Sequence, residues 1–141
     1  MMNAIDYHAL ALHTIQSWCS SISSSVQQKN LEVHMSLVSQ KVSVYGMPSK
    51  GVIDYTQWQT RRQHEFENGE LLSLNYQAIR IINSTAKRIV FNTNEVMMSQ
   101  SGTMVTLDKN ITLEYESDEV WRVVEENVKQ WQVKKIDLKK Y

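Results

Sequence analysis

Apolar residues near the N-terminus recur with helical spacing. Ile5, Ala9, Leu12, Ile15, Cys19, Ile22 and Val26 follow one another at gaps of three and four. That spacing draws one buried stripe along a long helix over residues 4–28. Ser20, Ser21, Ser23, Ser24 and Ser25 are weak helix formers, so its second half is expected to fray or bend. A shorter helix is predicted over Leu31–Val38, with Leu31, Met35 and Val38 on one face.

The period then shortens. "VSVY" over residues 42–45 reads as a short strand, and "GMPSKG" breaks it, with Pro48 suited to the second position of a turn between Gly46 and Gly51. Asp54 and Gln57 stand at capping-box spacing, which predicts a third helix running to about Glu67. Gly69 suits its left-handed end. Trp58, Arg62 and the Glu65–Phe66 pair share one face of that helix.

Strands are predicted from there on. In "LLSLNYQAIRII", Leu72, Leu74, Tyr76 and Ala78 alternate with polar residues until the pattern fails near Arg80, which predicts a bulge or strong twist. "RIVFNTNEVMM", "ITLEYES", "VWRVVEE" and "QWQVKKIDL" read as four further strands. Residues 114–126 hold six acids and one arginine, and residues 129–141 hold five lysines and one aspartate. Neighbouring antiparallel strands are expected to bring these charges face to face.

Composition narrows the class. A chain of 141 residues is expected to form one domain over 1–141 and to bury roughly 70% of its unfolded surface. Fifteen basic residues balance fifteen acidic ones, which argues against a nucleic-acid binder. Cys19 is the single cysteine, so no internal disulfide can form and a cytoplasmic location is expected. No apolar run approaches the ~20 residues of a membrane span, and no membrane partner is expected.

The element order is three helices interrupted by a short strand, then strands to the end. That is an α+β plan. It resembles the nuclear transport factor 2-like superfamily, which includes ketosteroid isomerase, scytalone dehydratase and SnoaL-like polyketide cyclases. The resemblance rests on "NLEVHMSLVSQKVSVYGMPSKGVIDYTQW" and on a terminal strand bearing Trp-x-Val, either at Trp121 or at Trp131. It implies N-terminal helices packed in a strongly curved antiparallel sheet, a cystatin-like, cone-shaped α+β barrel with an internal pocket. It also implies a homodimer through the outer sheet face.

The chemistry such a fold carries can be sought residue by residue. Family isomerases place an acidic base just after the first strand, where this chain has Tyr45, Gly46 and Met47. Their oxyanion donor falls near Ile22, which has no donor. The base and donor that enolisation needs are both missing from those positions. A dehydratase would use a pocket histidine with a carboxylate, and His13 and His34 are the histidines placed to face inward. Asp54 is the available partner, but its capping role accounts for it.

Other chemistries find less support. "HEFEN" puts His64 and Glu67 on one helix face without the second histidine of a zinc helix, so no metal is expected. "GMPSKG" lacks the Lys-Ser/Thr that completes a phosphate loop. Cys19 lies on the apolar stripe, where a thiol is ordinarily inert. No cofactor is expected.

What stands is a cavity. Trp18, Tyr45, Trp58 and Tyr76 are expected to supply flat apolar walls, His34 a polar group, and Arg62 a fixed charge for an anionic ligand. The expectation is a small-molecule-binding or accessory domain for an apolar or aromatic ligand, with room for an anionic group at Arg62. Two alternatives remain: a lyase or cyclase using a pocket His or Tyr, and an interaction module whose methionines fill the pocket. "GMPSKG" is expected to turn the chain at the pocket rim, with Met47 and Pro48 near its mouth.

Overall fold

A computed structural model describes residues 6–48 and 51–136. The expected helix start at Ala4, the turn residues Ser49 and Lys50, and the end of the lysine-rich tail lie outside the described residues. Helix α1 spans Tyr7–Gln27, with the Asp6 carboxylate accepting from Ala9 N at 3.0 Å as its N-cap. Its buried stripe is Ala11, Ile15, Trp18, Cys19, Ile22 and Val26. The serine-rich half stays helical. Within it Ser25 is buried and donates to Ile22 O at 2.6 Å, so its hydroxyl is satisfied without breaking the helix.

Asn30 caps α2, Leu31–Ser36, which ends two residues before the expected Val38. Val38 instead opens strand β1, Val38–Tyr45, and pairs with Val123. Helix α3 spans Tyr55–Glu67 and carries the full capping box, with Gln57 N donating to Asp54 Oδ1 and Asp54 N to Gln57 Oε1, both at 2.9 Å. Strands β2 (Ser73–Ser84), β3 (Arg88–Met98), β4 (Thr103–Tyr115) and β5 (Trp121–Lys135) complete the chain. The sheet order is β1-β5-β4-β3-β2, antiparallel except for the β1–β5 pair. The helices lie on its concave side, with α1 against β2 and α3 against β1.

Bulges supply the curvature. The β2–β3 register shifts between Gln77 and Arg80, where Ala78 has φ +55°, as the broken alternation predicts. Thr93 Oγ1 donates to Gln77 O at 2.8 Å beside this shift. The β4–β5 register shifts at Asp108/Lys109 and again at Thr112/Leu113. Each extra residue bends its strand and increases local twist.

Two expectations about the last strands need correction. Strand β4 begins at Thr103, not at 111, because Asp108, Lys109 and Asn110 interrupt its apolar alternation without ending the strand. "VWRVVEE" and the described part of "QWQVKKIDL" belong to one strand, β5, Trp121–Lys135, bulged rather than broken near Lys129. Consequently the acid-rich stretch and the described part of the lysine-rich stretch, residues 129–136, do not pair. The acids flank the β4–β5 hairpin, where Glu114 meets Lys41 and Arg88, and Arg122 meets Glu116 and Asp118. Lys134 and Lys135 lie opposite Met104 and Thr103.

Side chains paired across strands share a face, so the concave surface is a stack of cross-strand rows. From the narrow end these are Ile89–Leu113–Val123, Phe91–Ile111–Glu126, Thr93–Lys109–Val128, Glu95–Leu107–Trp131 and Met97–Val105–Val133. The first rows are core, and charge enters in the middle. The convex face, where a second copy is expected, carries Asn92, Asn94, Asp108, Asn110, Asn127 and Gln130 at its centre. No helix among the described residues is long and apolar enough to cross a membrane.

The rim turn begins at Gly46, with φ +83°. A Cβ there would collide with the Val128 carbonyl oxygen, so backbone conformation and close approach both require glycine. Gly46→Ala is expected to lower the unfolding free energy by roughly 1–3 kcal/mol, read as a reduced urea midpoint. An unchanged midpoint would mean the turn relaxes freely.

Candidate functional site

Trp58, Arg62 and Phe66 recur every four residues on α3, and that spacing buries all three. Against them sits His34 of α2, fully excluded from solvent. His34 Nε2 accepts from Trp58 Nε1 at 3.0 Å and from Arg62 Nε at 3.3 Å. Ser25 Oγ lies 3.0 Å from His34 Nδ1. The serine proton is already given to Ile22 O, so Nδ1–H is the donor in that pair. Both ring nitrogens are committed, and the ring is the neutral Nδ1–H tautomer. Burial, then the Arg62 charge, lowers its pKa to about 3. The guanidinium of Arg62 also meets Glu65 Oε1 at 2.7 Å and stacks 5.7 Å from the Trp58 ring centroid.

Across the cone the sheet contributes a second cluster. Lys109 Nζ donates to Glu95 Oε2 at 3.0 Å and to Glu126 Oε1 at 2.8 Å. All three side chains are almost wholly buried. Burial opposes the ammonium, yet the charges and hydrogen bonds of Glu126 and Glu95 outweigh it and raise the Lys109 pKa. Glu126 is raised in turn, mainly by burial, against the pull of Lys109. Two carboxylates share one ammonium, so this cluster holds more acid than base. Among the described residues, Glu95 Oε1 is the buried side-chain oxygen without a hydrogen-bond partner.

The two clusters face one cavity of about 40 Å³, lined by Trp58, Arg61, Arg62, Glu95, Lys109 and Glu126. Val44, Met47, Ile53, Met97 and Leu107 supply its apolar walls. A water needs roughly 10–15 Å³ on the same measure, so the cavity has room for a few water-sized groups.

Of the residues singled out in the sequence, Trp58 and Arg62 line this cavity and His34 stands directly behind them. Trp18 is packed 5.7 Å from Tyr76, with its indole N–H donated to Leu37 O at 3.1 Å. Tyr76 shares a cross-strand row with Glu95, and its phenol is pushed up by burial and by the Glu95 and Glu126 charges. Tyr45 ends β1 at 39% exposure and is not among the lining residues. Met47 reaches the wall from the rim turn, whereas Pro48 does not. His8, His13 and His64 are exposed. Burial raises the thiol of Cys19 to about 12, which keeps it protonated and unreactive.

Glu95, Lys109 and Glu126 are not among the residues singled out in the sequence. The signal was present: each has apolar residues two positions away on one or both sides, with the same inward parity. Thr93 and Met97 flank Glu95, Leu107 and Ile111 flank Lys109, and Val124 and Val128 flank Glu126. Among the described residues no group of three or more His, Cys, Asp or Glu side chains is placed to hold a metal.

No family model matches the sequence, and no curated protein matches it by sequence. Solved structures do resemble it. A protein of unknown function like nuclear transport factor 2, from Shewanella oneidensis MR-1, superposes with TM-score 0.70 at 10% identity over 84% of this chain and 98% of its own. A candidate scytalone dehydratase from Novosphingobium aromaticivorans DSM 12444 gives TM-score 0.69 at 10% identity, covering 94% and 92%. A protein of unknown function with a cystatin-like fold, from Nostoc punctiforme PCC 73102, gives 0.64 at 7% identity, covering 90% and 93%. The chain shares the fold of these structures, the α+β cone expected from the element order.

Two stability predictions follow from the clusters. His34 stays neutral in the fold until about pH 3, while an unfolded histidine protonates near its ordinary 6.5. The unfolded state therefore binds more protons between those limits, and stability falls as pH drops from 7 to 5, by up to about 1.4 kcal/mol per pH unit. Urea midpoints should show this slope, and His34→Gln should flatten it. Lys109→Met leaves two buried carboxylates without a cation and should cost about 3–5 kcal/mol at pH 7. Protonation would relieve that charge, so the loss should shrink at pH 5, and a loss equal at both values would refute the shared-ammonium account.

Proposed function

We propose that this protein binds a small molecule in the cone interior, between Trp58 and Arg62 on one side and the Glu95–Lys109–Glu126 cluster on the other. The observation that carries this reading is Glu95, a residue of the cavity wall whose buried carboxylate oxygen Oε1 accepts no hydrogen bond. A buried charged acceptor left unpaired is costly, and a donor supplied by a ligand or its bound water relieves that cost. Apolar walls beside a few convergent polar groups are the usual make-up of a ligand site.

A second reading, catalysis, is favoured by the same oxygen. A carboxylate with one oxygen anchored by Lys109 and the other without a partner, on a residue that lines the cavity, has the form of a general base. His34 is a poor candidate for that role because both of its nitrogens are engaged and its ring is neutral. In a lyase or cyclase built on this site, Glu95 is the base. The relative described as a candidate scytalone dehydratase supports an enzymatic reading only at the level of fold.

The test is differential scanning fluorimetry against a panel of small apolar fragments carrying a hydroxyl, an amine or a carboxylate. Binding at ~100 times the Kd should stabilise the protein by about 2.7 kcal/mol, a shift of several degrees in Tm. Glu95→Gln should reduce that shift. A panel without hits would favour a cavity filled by its own methionines, Met47 and Met97.

A further inference from the structure

Through Leu107 and Met97 the cavity wall continues onto a surface that is left uncovered among the described residues. Strand β1 ends at Tyr45, opposite Asn127, while β5 runs on to Lys135. Gly46 turns the chain away at Val128. Beyond that point the two outermost concave rows lie at the mouth of the cone: Glu95–Leu107–Trp131 and Met97–Val105–Val133.

The bulge between Asp108/Lys109 and Val128/Gln130 sets the aim of this surface. It brings Trp131 opposite Leu107 and Val133 opposite Val105, so both point to the concave side. Leu107 is 2% exposed, whereas Trp131 is 53% and Val133 54% exposed. One row therefore begins inside the cavity at Glu95 and ends on an open indole. Leu107 and Met97 belong to both the cavity wall and this shelf.

We infer that the ligand is a hydroxyl-headed apolar molecule, an alcohol or phenol, whose head enters the cavity at Glu95 and whose body lies on the shelf formed by Met97, Val105, Trp131 and Val133. This rests on the binding reading above and adds the chemistry of the ligand. Size divides the molecule: about 40 Å³ has room for a few water-sized groups, so the rest of a larger molecule lies outside it. Charge selects the head. A hydroxyl donates to Glu95 Oε1 and still accepts from the arginines that line the cavity, Arg61 and Arg62. A carboxylate head would face Glu95 and Glu126, and an ammonium head would face Lys109 and both arginines. The body is selected by Trp131, whose open indole offers a flat apolar face.

Isothermal titration calorimetry of the full chain with phenylbutanol, phenylbutylamine and phenylbutyrate tests this. The alcohol should bind most tightly. Glu95→Gln should weaken it about tenfold, the loss expected for one hydrogen bond to a charged group. Trp131→Ala, at an exposed position that folding does not depend on, should weaken it several-fold. A preference for the amine or the acid, or an unchanged affinity in Trp131→Ala, would overturn the inference while leaving the binding reading intact. Failure of all three probes would also overturn it, and the fragment panel then decides separately whether the cavity binds anything. Sedimentation of both proteins supplies the last arm: a dimer that Trp131→Ala dissociates would assign the shelf to a second copy and overturn the inference.

Discussion

One ammonium holds the interior of this cone together electrically. Lys109 Nζ lies within 3.0 Å of carboxylates on both neighbouring strands, Glu95 on β3 and Glu126 on β5. Placing three charges inside a sheet costs desolvation that their mutual attraction only partly offsets. Three apolar side chains of similar size would make a simpler core. The cluster instead divides the concave surface, with a dry floor of Phe91, Ile111 and Leu113 below it and the cavity beside it. The helices answer with charge of their own, since Arg62 is balanced by Glu65 and braced by His34.

The bulges and the cluster depend on one another. Without the shift beside Lys109, the residues beyond Val128 would point to the opposite face, because side chains alternate strictly along a strand. Trp131 and Val133 would then meet solvent on the convex side, among amides such as Asn94 and Gln130. With the shift, apolar side chains run from the cavity to the rim. The same kind of irregularity at Ala78 curls β2 toward α1 and packs Tyr76 against Trp18.

Much of the fold was legible because local signals agreed with the tertiary outcome. The stripe from Ile15 to Val26, the Asp54–Gln57 box and the failed alternation near Arg80 each named a feature of the folded chain. The site was legible only on its helical side. Trp58 and Arg62 stood out because helical spacing puts them on one face with Phe66. Glu95, Lys109 and Glu126 did not, because each sits on a strand from which hydropathy alone would exclude it. Parity within each strand places them on inward-facing rows, but their meeting depends on three strands in register, and no window of a single strand holds that information. For the same reason β4 was expected to start eight residues late: its polar stretch at Asp108–Asn110 is inside a strand that pairs on both edges.

The parallel pairing of β1 with β5 carries a consequence for how the chain reaches this state. Val38 finds its partner at Val123, across almost the whole sheet in sequence. Such contacts close late, since the entropy of a long loop must be lost before any pairing rewards it. Glu126 lies on that same final strand. During synthesis, Lys109 and Glu95 emerge from the ribosome before their third member exists, and the first strand remains an open edge. The half-made cone is therefore charged inside and unpaired along one edge each of β1 and β4, and docking of β5 pairs both edges and completes the cluster in a single step.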